Sequence, residues 1–445
     1  MAQTPASWLT AVVADAQGQI FDLHGYAAVG ADGPLRVPLS VAESSVLPHG
    51  GELMYLPDRR PVVWDIAAQK TVTLTENPHA PGARIFPVAA FNSPGYMIAY
   101  TSAYEEDDRA GFLPLFSYAA VGWRRGRFRS PVIQVDDEPR QDLRQMPREK
   151  IVAGIKRLRK ALPDNRLRAH LEKCALTYGC PAGKNFFLGR FEAPLPSSTT
   201  CNARCLGCIS LQSDGCMPSS QNRIDFIPTP EEIAQVALSH IGRVKQAVVS
   251  FGQGCEGDPL MAADTIAAAV RRIRAATDRG TINLNTNGSL PERIEALLDA
   301  GIDSLRISMN SVRPDCYGAY FRPRGYRFTD VLRSIDLAVE RGAHVAVNYL
   351  NCPGFTDTPE ERDALVDFLR RHPLHMIQWR NLNFDPLRYL AAMNQVAGHG
   401  RPIGVRPLLE EIRRAFPQLE YGYFNPPKER YRVRGASSRS PESDP

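Results

Sequence analysis

From Trp8 to Val135 the chain runs in short apolar or alternating stretches, among them WLTAVVA, ELMYLP, PVVWD, TVTLT, YMIAYTS and FSYAAVGW, separated by Gly, Pro, Asn and Asp. Runs of this length bounded by turn formers predict strands, so residues 1–140 are expected to form a β-rich N-terminal domain. The pattern then changes. In REKIVAGIKRLRKALP, Ile151, Val152, Ile155, Leu158 and Leu162 recur at helical spacing with basic residues on the opposite side, which predicts an amphipathic helix within a connector spanning 141–189.

After Arg190, strand, loop and helix alternate six times, the signature of parallel βα units. The expected strands are RFEAPLP, QAVVSFG, TINLNTN, SLRISMN, HVAVNYLNC and HMIQWRNLN. Helix starts are expected at Thr229-Pro230 with Glu232, Ser289 with Glu292, and Thr358-Pro359 with Glu361, each matching a capping box. Six units predict an α/β fold, a (β/α)6 partial barrel of the TIM type over 190–395, followed by a C-terminal extension, 396–435, and a polar tail, 436–445, expected to be disordered. Right-handed crossovers would place the C-terminal ends of all the strands on one rim, where parallel α/β folds collect their chemistry.

Composition adds three constraints. With 445 residues and 43% hydrophobic content, the chain can bury one or two full cores. No run approaches 18 apolar residues, and the first residues lack a basic segment followed by an apolar one, so neither a membrane span nor a secretory signal is expected and the cytoplasm is the expected location. The net charge of +5 is concentrated, since 148–173 holds nine basic residues against three acidic ones. That helix is either a solvated connector or a surface for RNA or an acidic partner.

Nine cysteines in a chain of this size do not resemble a secreted disulfide framework. Three of them, Cys201, Cys205 and Cys208, stand in TTCNARCLGCIS at C-x3-C-x2-C spacing, directly after the first predicted barrel strand. Structural zinc ordinarily takes four Cys or His ligands, commonly as two separated pairs, and a second pair is not evident. A cubane iron-sulfur cluster takes one thiolate per iron, so three thiolates leave one iron free to bind a small molecule. Zinc stays open as the weaker reading.

A C-x3-C-x2-C loop after the first strand of a six-unit βα barrel resembles the radical S-adenosylmethionine (SAM) enzymes, over about 190–390. The resemblance implies a 4Fe-4S cluster on Cys201, Cys205 and Cys208, SAM bound to the free iron, and a low-potential electron donor of the flavodoxin or ferredoxin type. It also implies reductive cleavage of SAM to a 5'-deoxyadenosyl radical that abstracts hydrogen from an unidentified substrate: RNA, a peptide or a small metabolite. FGQGCEGDPL is similar to the family's GGEP-type segment, with Gly257, Asp258 and Pro259 aligning best; Asp stands where Glu is usual, and Glu256 could share the role. NLNTNGS is similar to the family's TNG segment, which implies SAM contacts from Asn285 and Asn287. In SLRISMN, Arg306 and Ser308 share a face with Asn310 and look like contacts to the ribose or carboxylate of SAM if that face is the interior. NCPGFTD resembles a turn that passes near the adenine, and Gln378, Trp379, Arg380, Asn381 and Asn383 form a polar strand that would either touch substrate or line an open edge. The cluster loop departs from the family at Gly207, where an aromatic residue usually precedes the third cysteine.

Cys174, Cys180 and Cys216 could hold an auxiliary cluster or be buried thiols, and Cys255 and Cys352 fall on the predicted rim, where a thiol could donate hydrogen or hold substrate. The competing expectation is a noncatalytic zinc or iron-sulfur protein whose β-rich domain binds a partner.

Overall fold

The computed structural model describes residues 5, 7–212, 215 and 217–431; Cys216 and the polar segment 436–445 lie outside them. Residues 10–134 form antiparallel strands, most of them in one twelve-stranded sheet. Its centre is Thr10–Ala14, buried along its whole length and paired with Ile20–Asp32, Phe86–Phe91 and Gly122–Arg124. The thirteen-residue strand Ile20–Asp32 is long enough to pair with several neighbours in turn.

Three helices follow: α1 (Arg148–Ala161), α2 (Arg166–Leu176) and α3 (Pro181–Leu188). Ile151, Ile155 and Leu158 face inward from α1, as their spacing predicts, and Gly154 lies against the Phe187 carbonyl, where an added Cβ would stand 2.1 Å away. Three of the nine basic residues of 148–173 are paired: Arg159 and Arg168 meet Glu172 and Arg166 meets Glu232.

The barrel strands are β1 (Glu192–Pro194), β2 (Val248–Phe251), β3 (Thr281–Thr286), β4 (Ser304–Met309), β5 (His344–Asn351) and β6 (Met376–Asn381), all parallel and in sequence order. Helices α4 (Pro230–Arg243), α5 (Ala263–Ala276), α6 (Pro291–Ala300), α7 (Pro314–Phe321), α8 (Phe328–Glu340) and α9 (Pro359–Arg371) connect them. After α10 (Pro386–Asn394) and α11 (Val405–Ala415), a seventh strand, β7 (Glu420–Gly422), adds to β6 in parallel. The extension thus joins the sheet, and β6 is not the open edge its polar residues suggested. Among the described residues, no helix is long and apolar enough to cross a membrane.

Of the three expected capping boxes, Thr229–Glu232 forms with both reciprocal bonds. The other two do not. Helix α6 starts one residue later, with Leu290 at its N-cap, and the Ser289 hydroxyl accepts from Asn202. Thr358 caps α9 by position only, because its hydroxyl donates to the Phe355 carbonyl and Glu361 is drawn into the core by Ser311 and Tyr349. Tertiary partners outbid the local bonds at both sites.

Register aligns polar residues on the concave face: Ser250 beside Asn283, Asn283 beside Ser304, Asn285 beside Arg306, and Ser308 beside Asn348 beside Gln378. The chain closes over this interior from both sides. Asn425 donates to Glu192 (3.0 Å) and Ser250 (3.3 Å) and accepts from Gln378 (2.9 Å), joining β1, β2 and β6. From the other side, Asn351 and Asn381 bond the backbone of Tyr96 and Ile98, and Asp385 accepts from Leu113 and Arg59. The β-rich region therefore sits over the rim at β5 and β6. At a third contact Gly354, at φ +89°, packs on Gly33, and an added Cβ would stand 1.9 Å from the Gly33 nitrogen.

Beside that contact the carboxyls of Asp32 and Asp357 are buried together, and burial followed by the Asp357 charge pushes Asp32 up to about 8. A proton held between the two carboxyls stabilises the contact fully below the unfolded pKa of about 3.9, and this contribution declines above that pH until it is lost as pH rises through about 8. The thermal midpoint of the wild-type chain should fall by several degrees between about pH 6 and about pH 9, and Asp32→Asn should flatten that slope, as followed by circular dichroism. Asn425→Ala should cost about 1–3 kcal/mol in urea unfolding, because Gln378 and Glu192 lose a buried partner.

Candidate functional site

Beyond β1 the backbone keeps pairing with β2, Leu195 N–H donating to the Ser250 carbonyl, and then turns into the loop that carries Cys201, Cys205 and Cys208. The loop is pinned on two sides. On one, Arg204 and Leu206 N–H groups donate to the carbonyls of Phe321 and Tyr320 at the end of α7, and Arg324 N–H donates to Asn202. On the other, Gly257 N–H donates to Ser198 (2.7 Å) and Asp258 N–H to Thr200 (2.9 Å). This second approach requires glycine, since a Cβ at residue 257 would stand 1.8 Å from the Thr200 carbonyl oxygen.

The three thiols are half-buried and close enough to affect one another's ionisation. Burial, then the Asp258 charge, pushes Cys201 up to about 12; burial, then its two sister thiols, pushes Cys205 well above its ordinary value. Arg223 offers a positive charge at 3.7 Å from the Cys208 sulfur, with its Nε on Ser210. One guanidinium cannot balance three thiolates. A donor set of this kind holds its charge when a cationic metal centre sits among it, so the residues fit a cluster.

Glu256 and Asp258, interchangeable on sequence alone, occupy different places. The Glu256 carboxylate accepts the N–H groups of Ser197 (2.7 Å), Ser198 (3.0 Å) and Gln253 (2.7 Å), which fixes the cysteine loop to the loop after β2. Asp258 lies on the cysteine side, accepting from Thr286, from Asn287 N–H and from Leu260 N–H, with Pro259 opening the short turn Pro259–Ala262. Asn287 is just past the end of β3, where its amide donates to Asn202, the residue following Cys201. Cys201, Asn202, Asp258 and Asn287 are therefore brought together at the rim.

Asn285 and Arg306 sit deeper. Asn285 donates to the carbonyls of Phe251 and Gly252, and Arg306 reaches across the concave face to Gln378 (3.3 Å), so that face is the interior. Ser308 is half-buried and follows Arg306 on the same side of β4. Burial, and next the positive charge of Arg380, pull Arg306 down to about 9. Arg380 stacks 3.7 Å over the Tyr423 ring, and the Nε atoms of Arg306 and Arg380 are buried without a hydrogen-bond partner.

Cys255 and Cys352, expected on the rim, are both buried: Cys255 beside His170 and Cys174, and Cys352 under the turn that bears Gly354. The missing aromatic residue at Gly207 has a steric reason. A Cβ there would stand 2.9 Å from the Tyr320 hydroxyl and 3.2 Å from the Asn383 carbonyl, so α7 fills the space from outside the motif. Tyr320 and Arg223 carry no spacing signal that would have singled them out, whereas Asn202 lay inside the motif and was passed over.

A family model described as the radical SAM superfamily matches residues 195–369. The chain is 26% identical over 225 residues to the GTP 3',8-cyclase of Chlorobaculum tepidum, covering 50% of this chain and 61% of that protein. It is 32% identical over 178 residues to the GTP 3',8-cyclase of Corynebacterium glutamicum, covering 38% and 44%. The chain spans about half the length of the curated relatives it matches. A radical SAM methyltransferase structure from Sphaerobacter thermophilus is similar at TM-score 0.37 and 17% identity, over 51% of this chain and 63% of that one.

Gly257→Ala should force the two loops apart and cost about 1–3 kcal/mol in urea unfolding. Gly242→Ala, where an added Cβ on α4 meets nothing within 4 Å, should be neutral or stabilising in the same assay.

Proposed function

We propose that this chain, whose residues 195–369 match the radical SAM superfamily model, is a radical SAM enzyme holding a 4Fe-4S cluster on Cys201, Cys205 and Cys208, with SAM beside it. The observation that carries the reading is the meeting of the three thiols with Asp258, Asn202 and Asn287 at the rim. When bound, the cluster supplies one-electron reductive cleavage of the SAM sulfonium, using an electron from a low-potential donor of the flavodoxin or ferredoxin type.

This chain's own residues have separate tasks. Glu256 holds the two loops in register, and Gly257 and Asp258 offer backbone and carboxylate on the cysteine side. Pro259 fixes the turn that follows, Asn285 and Asn287 line the wall formed by β3, and Arg306 and Ser308 line the one formed by β4. Two half-buried guanidiniums facing a polar interior, each with a buried Nε lacking a partner, favour an anionic group, so we assign Arg306 to the carboxylate of SAM and Arg380 to an anionic small-molecule substrate. The β-rich region over β5 and β6 shields the reacting atoms from water. Lys150, Lys156 and Lys160, exposed on α1, are the cations we assign to an acidic partner such as the electron donor; RNA across α1 and α2 has less support, since Arg159 of α1 and Arg166 and Arg168 of α2 are paired.

Protein reconstituted anaerobically with iron and sulfide should be brown and, with SAM and dithionite, should release 5'-deoxyadenosine and methionine, quantified by liquid chromatography. Replacing Cys201, Cys205 and Cys208 together by alanine should abolish both colour and product. Zinc that is lost on replacing Cys201, Cys205 and Cys208 by alanine, with no nucleoside release from the wild-type chain, would favour the noncatalytic reading. Product enhancement by GTP would name the substrate of the curated relatives as this chain's own.

A further inference from the structure

A second set of soft donors lies in the protein interior, separate from the cysteine loop. Helix α2 presents His170 and Cys174 one turn apart on the same face. Cys255, from the loop after β2, meets them from 85 residues away, and both cysteines are buried. The His170 Nε2 atom is 3.4 Å from the Cys255 sulfur and 3.4 Å from the Cys174 sulfur, and all three donor atoms lie within 4.8 Å of one another.

We propose that His170, Cys174 and Cys255 form a binding site for a single zinc-type divalent ion, with a water molecule completing the four-coordinate set. A tetrahedral ion with bonds of about 2.3 Å to sulfur and about 2.0 Å to nitrogen holds those donors about 3.5 Å apart, which is the spacing found here. A cubane cluster fits less well, because each of its thiolates binds a different iron and the sulfurs stand farther apart. Two thiolates and an imidazole are the ligands a borderline-soft ion prefers. Cys180 precedes α3, and its N–H donates to the Cys174 carbonyl (3.1 Å), which holds α3 beside the three donors. An ion here would tie the helices before the barrel to the loop carrying Glu256, and so to the cysteine loop that Glu256 braces.

The proposal is independent of the function assigned above and is tested where the cysteine loop cannot contribute, in the C201A/C205A/C208A chain. After chelation, this protein should bind one equivalent of Co2+ with thiolate-to-cobalt charge-transfer absorption and tetrahedral visible bands. Adding Zn2+ should displace the cobalt and bleach both. Loss of a residue that merely orients a metal ligand weakens binding about 10–100-fold, so removal of a ligand by His170→Asn should weaken Co2+ at least that much. C174S together with C255S should abolish the spectrum with unchanged far-ultraviolet circular dichroism, while C316S, at a buried thiol on α7, should retain it. Binding of less than about a tenth of an equivalent, equal loss in C316S, or a brown cluster formed with iron and sulfide but without Co2+ uptake would each overturn the assignment.

Discussion

The cysteine loop has its shape because one buried carboxylate and one absent side chain bind it to its neighbour. Glu256 collects three backbone N–H groups from two loops, and Gly257 lets the backbone of one loop come within bonding distance of the other. Neither residue needs to touch a ligand for this to matter. The fourteen residues from Leu195 to Cys208 would otherwise sample many conformations, and three thiols must share one small volume to act together. Everything proposed for the rim presupposes that pairing.

Around it the chain is folded inward from both ends. The antiparallel region before the barrel reaches over β5 and β6 through the amides of Asn351 and Asn381, and the segment after α11 supplies β7 and Asn425. The polar residues of β6 are thereby divided among tasks: Gln378 closes the seam, Asn381 docks the β-rich region, and the half-buried Arg380 stacks on Tyr423.

Much of this was legible in the residues. Six βα units, the amphipathic face of α1 and the C-x3-C-x2-C loop follow from periodicity and spacing, signals that depend only on neighbours in sequence. What was not legible depends on partners far apart. The box at Ser289 failed because Asn202 competes for its hydroxyl, and that at Thr358 because Glu361 is claimed by the core. Gly207 reads as a defect in the motif until Tyr320 is seen occupying the same space. The division of labour between Glu256 and Asp258 was likewise invisible, since two acids two positions apart differ only in what the fold brings to each. His170 escaped notice because its companions sit 4 and 85 residues away.

Asn425 also couples the two flanks of the curled sheet. It enters the polar interior from the segment beyond α11 and bridges β1 to β6. A single amide thus acts as a tie across the open side, so that the sheet cannot uncurl at one flank without breaking bonds at the other.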